Sequence, residues 1–236
     1  MKLTYIRWSM TIIETNGLTL VTDPVFHMLG IRQAPKSYTY ERLPRPDLVF
    51  ISHTHADHFA PAVLKRLEPG TPVWMPDSKV AKARHLGLAA LRGVEAWESP
   101  EFRGVRLTAV PAKHSGGELG LVVEGDRTVY FAGDTSLDRE LFRTIGQRWA
   151  LDAVLLPMGN LRVLGLPIGH IGPRKVPQAL RLLGDPPVMV PTHYSGMTLR
   201  PLLSFGGAPR DLPKYLNKAE LGTLIGTTRP MQTVEI

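Results

Sequence analysis

The sequence predicts an α/β protein, and three observations lead there. Short apolar runs of strand length, such as Leu48-Val49-Phe50-Ile51 and Ala153-Val154-Leu155-Leu156, recur along the chain and have the composition of buried strands. Segments of helical spacing fall between them, as in Val176, Ala179, Leu180 and Leu183, which share one helix face. Several strands also end in polar residues able to do chemistry, most densely in Ile51-Ser52-His53-Thr54-His55-Ala56-Asp57-His58. Strands alternating with helices and feeding polar loops define the α/β class.

A chain of 236 residues is long enough for one well-buried core, so a single domain over residues 1–236 is expected. Hydrophobic residues make up 43%, an ordinary share, and no apolar run reaches the ~20 residues that a bilayer requires. Met1 to Arg7 contains neither an apolar stretch nor a small-residue cleavage site, which points to a soluble cytoplasmic protein. There is no cysteine, so disulfides and thiolate ligands are excluded and any metal must be held by nitrogen and oxygen. The net charge of +7 and pI of 9.8 favour a small anionic substrate through electrostatic steering. A general preference for arginine explains the same numbers, because the arginines are scattered, with no dense basic block and no aromatic ladder for nucleic acid.

In order along the chain, Leu3 to Trp8 and Met10 to Glu14 read as strands, and Asn16-Gly17 as the turn of a hairpin leading into Leu18 to Thr22. Asp23-Pro24 closes that strand. Residues 27–46 form a long connection with little pattern, and a loop of that length inside a compact domain is usually functional. Its Arg32, Lys36, Tyr38 and Tyr40 are candidates to cover a site, while His27 reads as a loop residue. Leu48 to Ile51 is a buried strand, and beyond it His53 and His55 point the same way, because side chains at i and i+2 share a face. Together they suit one ion. Asp57 and His58 follow where the chain turns toward a helix over Ala60 to Leu67, and they suit a second ion. Three of the eight histidines lie in these six residues, which argues for a metal cradle over a merely solvated loop.

A strand at Pro72 to Met75 precedes a helix with Ser78 as candidate N-cap, running toward a solvated His85 and stopping at Gly87. Val105 to Val110 alternates as a half-exposed strand does and delivers Lys113-His114 to a loop. Ser115 has no Gly-x-Ser-x-Gly elbow around it, which rules out that serine-hydrolase route. Leu119 to Glu124 and Thr128 to Phe131 are strands, the second leading into Gly133-Asp134-Thr135, where Thr135 is placed to hydrogen-bond the Asp134 carboxylate. Leu137 to Ile145 reads as a helix. Val188 to Val190 is a strand ending in Pro191-Thr192-His193-Tyr194, and a last helix is expected over Leu212 to Leu221, then a short strand.

His53-x-His55-x-Asp57-His58, followed by His114, Asp134 in a Gly-Asp-Thr turn and His193, resembles the signature of the metallo-β-lactamase superfamily. The resemblance runs from about Asp23 to Tyr194 and implies a four-layer αββα sandwich. It implies His53, His55 and His114 on one divalent ion, Asp57, His58 and His193 on another, and Asp134 between them. Zinc suits such a histidine-rich set, and manganese or iron fits nitrogen and oxygen ligands as well. Asp23-Pro24-Val25-Phe26 resembles a segment of two branches, relatives of the phospholipase D acting on N-acylphosphatidylethanolamine and of the L-ascorbate-6-phosphate lactonases. There Asp23 would orient a ligating imidazole; as a bare sequence feature it is equally a turn cap. Those branches usually carry Gly-His-Ser or Gly-His-Ala near Trp8-Ser9-Met10, and this chain does not. The loop Gly165 to Pro173 matches one that bears a pocket histidine, which makes His170 a candidate for binding substrate or protonating a leaving group.

The resemblance therefore implies an ester hydrolase of the phosphodiester or lactone type, using a hydroxide shared by two ions, with Asp57 and His170 as candidate catalytic residues. The alternatives are an RNase Z-like nuclease, for which no long tRNA-gripping insertion is present, and a non-catalytic metal-binding sensor on the same scaffold. Such sensors commonly lose ligands, and here the set is complete. Flavodiiron proteins typically place Glu where His55 stands and carry a flavin domain. Oligomeric state is not legible in the sequence.

Overall fold

The computed structural model describes the chain except residues 29–30, 33, 35, 116, 165, 169–170, 195–202, 207–208 and 228. The first sheet contains β1 (Lys2–Arg7), β2 (Met10–Thr15), β3 (Leu18–Thr22), β4 (Leu48–Phe50), β5 (Val73–Pro76) and β6 (Leu91–Val94). The second contains β7 (Glu101–Phe102), β8 (Val105–Pro111), β9 (Leu119–Glu124), β10 (Thr128–Phe131), β11 (Ala153–Pro157), β12 (Val188–Thr192) and β13 (Leu224–Ile225). The last strand, β14 (Gln232–Glu235), returns to the edge of the first. Among the described residues the sheet orders are β14-β1-β2-β3-β4-β5-β6 and β13-β12-β11-β10-β9-β8-β7.

Each sheet is antiparallel in one half and parallel in the other. In the first, β3, β4, β5 and β6 run parallel; in the second, β10, β11, β12 and β13 do. Antiparallel neighbours need only a tight turn, and Asn16-Gly17 supplies one with both residues at positive φ, 48° and 75°. Parallel neighbours need a crossover, which is where α1 (Pro61–Leu64), α2 (Val80–Ala83), α3 (Arg139–Arg148), α4 (Val176–Leu182) and α5 (Leu212–Lys218) occur.

Strand periodicity explains the layers. Leu48 and Phe50 face one way and Val49 and Ile51 the other, all fully buried; Val129 and Phe131 alternate likewise with Tyr130 and Ala132. One set from each sheet meets in a central core that includes Tyr5, Leu20, Phe50, Leu121, Phe131 and Leu155. On the outer face of the second sheet Tyr130, Val154 and Leu156 pack against Phe142, Ile145, Ala179 and Leu180 of α3 and α4. On the outer face of the first, Val49 and Val73 pack against Val63, Leu64 and Ala83 of α1 and α2. The result is the expected αββα sandwich.

Local differences from expectation have physical causes. The helix expected over Ala60 to Leu67 closes after one turn and continues as isolated turns to Leu67. Ser78 caps nothing: a 3₁₀ turn at Asp77–Lys79, α2 and a second 3₁₀ turn at Arg84–Leu86 replace the single helix, with no side chain satisfying the leading N–H groups. The helix after Asp134 begins later than expected because Asp138 caps it, its Oδ1 accepting the Glu140 and Leu141 N–H groups at 3.1 Å. The helix expected to reach Leu221 ends at Lys218. In the long connection, Tyr38 is buried and stacks on Phe26 at 5.9 Å, and Tyr40 gives its hydroxyl to the Arg66 carbonyl at 2.5 Å. Both rings are committed to packing rather than to covering a site.

The central core carries the sandwich, so Phe131→Ala, which empties a fully buried position edge-on to Phe50, should cost about 3–5 kcal/mol in urea unfolding. A loss under about 1 kcal/mol would show that the two sheets do not depend on this contact.

Candidate metal centre

The polar segments all leave the same ends of the strands. Asp23 follows β3, Ser52 to His58 follow β4, Lys113 and His114 follow β8, Asp134 follows β10 and His193 follows β12. These are the carboxyl ends of the parallel strands and of β8, which runs in the direction of β10 because β9 is antiparallel to both, and open α/β sheets assemble their sites at such ends. Backbone bonds bring the loops together: Asp23 N–H donates to Phe50 O at 2.9 Å, Leu119 N–H to Ser52 O at 3.1 Å, and His193 N–H to Trp8 O at 2.9 Å.

Two donor groups result. His53, His55 and His114 form one; Asp57, His58, Asp134 and His193 form the other, with the ligand atoms of each within 4.8 Å of one another. In the first, His53 Nε2 and His114 Nε2 lie 2.9 and 3.3 Å from His55 Nδ1. In the second, Asp134 Oδ2 lies 3.0 Å from His58 Nε2 and 3.2 Å from His193 Nε2, and Asp57 Oδ2 lies 3.2 Å from His193 Nε2. The groups adjoin, because the His53 and His58 rings are 4.1 Å apart. His55 is exposed and His114 half-buried, whereas His58, Asp134 and His193 are buried, so the centre has a mouth and a floor. His27 and His85 lie exposed on other elements, and His170 lies outside the described residues.

Asp23 faces an imidazole, as the resemblance implied, and is not a local turn cap, because its carboxylate bonds Ser52 and faces His58 rather than its own turn. Its Oδ1 accepts the Ser52 N–H at 2.7 Å, and its Oδ2 accepts the Ser52 hydroxyl and faces His58 Nδ1, each at 2.7 Å. It is at once a clamp on the next strand end and an orienting partner for an imidazole. Thr135 differs from expectation. Its hydroxyl accepts the Lys113 N–H at 2.9 Å and donates to Ser136 O at 3.1 Å, so it joins two loops instead of fixing the Asp134 carboxylate.

Three contributors were not foreseen. Ser9 Oγ reaches Asp134 Oδ1 at 3.4 Å, the Trp8 ring stands edge-on to His193 at 4.7 Å, and Glu118 accepts the Asp134 N–H at 2.5 Å. The unusual Trp8-Ser9 pair thus touches the deeper donor group. The only sequence signal was the departure from Gly-His at that point, and Glu118 had none. Trp8, Asp23 and His193 hold positive φ of 53°, 43° and 52°, conformations costly for residues with a side chain and typical of functional sites.

The electrostatics suit cations. Burial, reinforced by His58, drives His53 down to about 2, so it remains a neutral imidazole with a lone pair to give. Burial opposes charge on His58 too, yet the Asp134, Asp57 and Asp23 carboxylates around it push it well above the ordinary histidine value. Burial would raise Asp57, but His58 and His193 beside it hold it below the usual carboxylate range. Burial raises Asp23 against the pull of His58 and Ser52, and raises Glu118 further with help from Asp134. Three carboxylates crowding one imidazole repel each other unless positive charge lies among them, and this all-nitrogen-and-oxygen set fits divalent metal ions.

Residues 19–194 match the family model described as the β-lactamase superfamily domain. A UPF0173 metal-dependent hydrolase of Methanopyrus kandleri is 27% identical over 207 residues, covering 82% of this chain and 84% of its own. One from Korarchaeum cryptofilum is 28% identical over 241 residues, covering 100% and 99%. The solved structure of Igni18, a metallo hydrolase from Ignicoccus hospitalis, superposes with a TM-score of 0.79 at 26% identity, covering 99% of this chain and 97% of that one. Since the matched stretch contains all seven donors and strands of both sheets, the chain belongs to the metallo-β-lactamase superfamily, among its metal-dependent hydrolases.

Proposed function

We propose that this protein hydrolyses an ester bond, phosphodiester or lactone-like, in a small anionic substrate at a centre of two divalent ions. His53, His55 and His114 hold one ion, Asp57, His58 and His193 the other, and Asp134 lies between them. The observation that carries this reading is the adjacency of the two donor groups, whose nearest rings are 4.1 Å apart. Zinc is the first choice of ion, with manganese or iron compatible with the same donors. Divalent ions bound there supply a lowered pKa for water and polarisation of the bond under attack.

The chain's own residues prepare that chemistry. Asp23, by accepting from Nδ1 of His58, leaves its Nε2 facing Asp134. Asp57, on the half-buried side of the deeper group, faces both His193 and the approaching substrate. Near the mouth, Lys82 donates to Thr54 Oγ1 at 3.1 Å between His53 and His55, and this ammonium attracts an anion, whereas the Lys113 ammonium lies 3.8 Å from Asp138 Oδ2. His170 is proposed to bind the substrate or to protonate the leaving alkoxide. The residue after it, Ile171, donates its N–H to Pro157 O at 3.3 Å, at the carboxyl end of β11.

Turnover by the zinc- or manganese-loaded protein is expected on phosphodiester or lactone substrates in a panel that also contains thioesters and β-lactams. Asp134→Asn should abolish it and His170→Ala should slow it roughly 100-fold. A fully loaded protein inert toward the whole panel sinks the proposal. Asp23→Ala should weaken zinc binding about 10–100-fold, because His58 loses its orienting acceptor. Equilibrium dialysis showing wild-type affinity would refute that role.

His58 also fixes a pH dependence. Its folded pKa is raised, so the stability that its proton contributes to the metal-free protein is complete below its ordinary value, ~6.5, and is lost as pH rises through the folded value. A metal ion must displace that proton. Zinc affinity should therefore climb as pH rises toward the raised folded value of His58, with proton release seen by calorimetry in buffers of different ionisation enthalpy. Binding without proton release near pH ~6.5 would contradict this assignment.

A further inference from the structure

Glu118 lies just before β9 and is only 2% exposed. A carboxylate so buried is costly unless it is bonded. Its Oε1 accepts the Asp134 N–H at 2.5 Å and lies 3.5 Å from His53 Nδ1, while its Oε2 has no hydrogen-bond partner among the described residues. It thus reaches one residue of each donor group. The turn that carries Asp134 is shaped around it: Gly133 has φ of 60°, and a Cβ there would run into Glu118 Oε1.

His53 Nδ1 has one other close neighbour, Ser52 Oγ at 3.0 Å. That hydroxyl gives its proton to Asp23 Oδ2 at 2.7 Å, so both oxygens facing Nδ1 are acceptors. A ring nitrogen facing acceptors carries the proton. The lone pair is left on Nε2, the atom that points toward His55 and the first ion position.

We propose that Glu118 is a positioning residue for both halves of the centre. Its Oε1 holds His53 in the Nδ1–H tautomer and anchors the Gly133–Asp134 turn, so that the Asp134 carboxylate meets His58 and His193. The inference rests on the metal centre proposed above. It assigns the role to the reach of one oxygen atom rather than to carboxylate charge. Glu118→Gln keeps an oxygen at the same distance, and Glu118→Ala removes it.

Two measurements test it. Nitrogen-15 NMR of the metal-free wild type should show His53 as the Nδ1–H tautomer; an Nε2–H tautomer overturns the proposal with no variant needed. Cobalt(II) titration followed by visible absorption should show E118A binding about 10–100-fold more weakly, with displaced d–d bands. E118Q should stay close to wild type in both affinity and spectrum. An E118A protein with the wild-type affinity and spectrum, or an E118Q protein as impaired as E118A, overturns the proposal. Should E118A not fold, E118Q decides: cobalt binding weakened about 10-fold or more in E118Q overturns the proposal. A wild type that takes up no cobalt would remove the centre itself, and this inference with it, whereas normal uptake alongside an indifferent E118A removes only the role of Glu118.

Discussion

The Asp23 carboxylate is the point at which the metal centre is fastened to the fold. It takes the Ser52 N–H and hydroxyl and faces His58 Nδ1, while the Asp23 backbone N–H donates to Phe50 O and pins the end of β3 to the end of β4. The Ser52 carbonyl in turn accepts the Leu119 N–H from the second sheet, so one run of hydrogen bonds joins both sheets beneath the ligands. Left-handed backbone at Asp23 costs about 1–3 kcal/mol. Three contacts converging on its carboxylate, two from Ser52 and one from His58, hold that conformation. Strain is thereby held at a place where it aims a side chain.

What the sequence discloses and what it hides follow from the range of the interactions. Strands with apolar residues on both faces, such as Leu48 to Ile51 and Ala153 to Pro157, are legible because their composition is dictated locally by burial between two layers. Gly133-Asp134 is legible for the same reason, since its backbone conformation excludes most residues. The donors after β4 are close in sequence, and His53 Nε2 comes within 2.9 Å of His55 Nδ1 although the strand ends at Phe50, before both. His114, Asp134 and His193 come from distant segments, and a shared family pattern was needed to group them.

Helix boundaries were less legible. The 77–86 segment contains residues of good helical propensity, yet no cap closes its first turn, and it breaks into 3₁₀ and α pieces. The supporting residues were the least legible of all. Glu118, Ser9 and Trp8 act through contacts 16, 125 and 185 positions away along the chain, as Asp134 and His193 show. A lone glutamate before a strand looks like any exposed charge until the second sheet folds over it. Thr135 looked like a partner for its neighbour, but its hydroxyl donates to Ser136 O and accepts the Lys113 N–H.

The two donor groups also differ in depth: His55 opens to solvent, while His58 is sealed below it. In the centre proposed above this makes the two ions unequal toward exchange. A chelator would reach the outer one first along the path a substrate takes, and the inner one, held among buried His58, Asp134 and His193, only later past the partly exposed Asp57. Brief stripping should therefore leave half-filled molecules that accept a foreign ion at the mouth, and the chain would lend itself to mixed-metal forms.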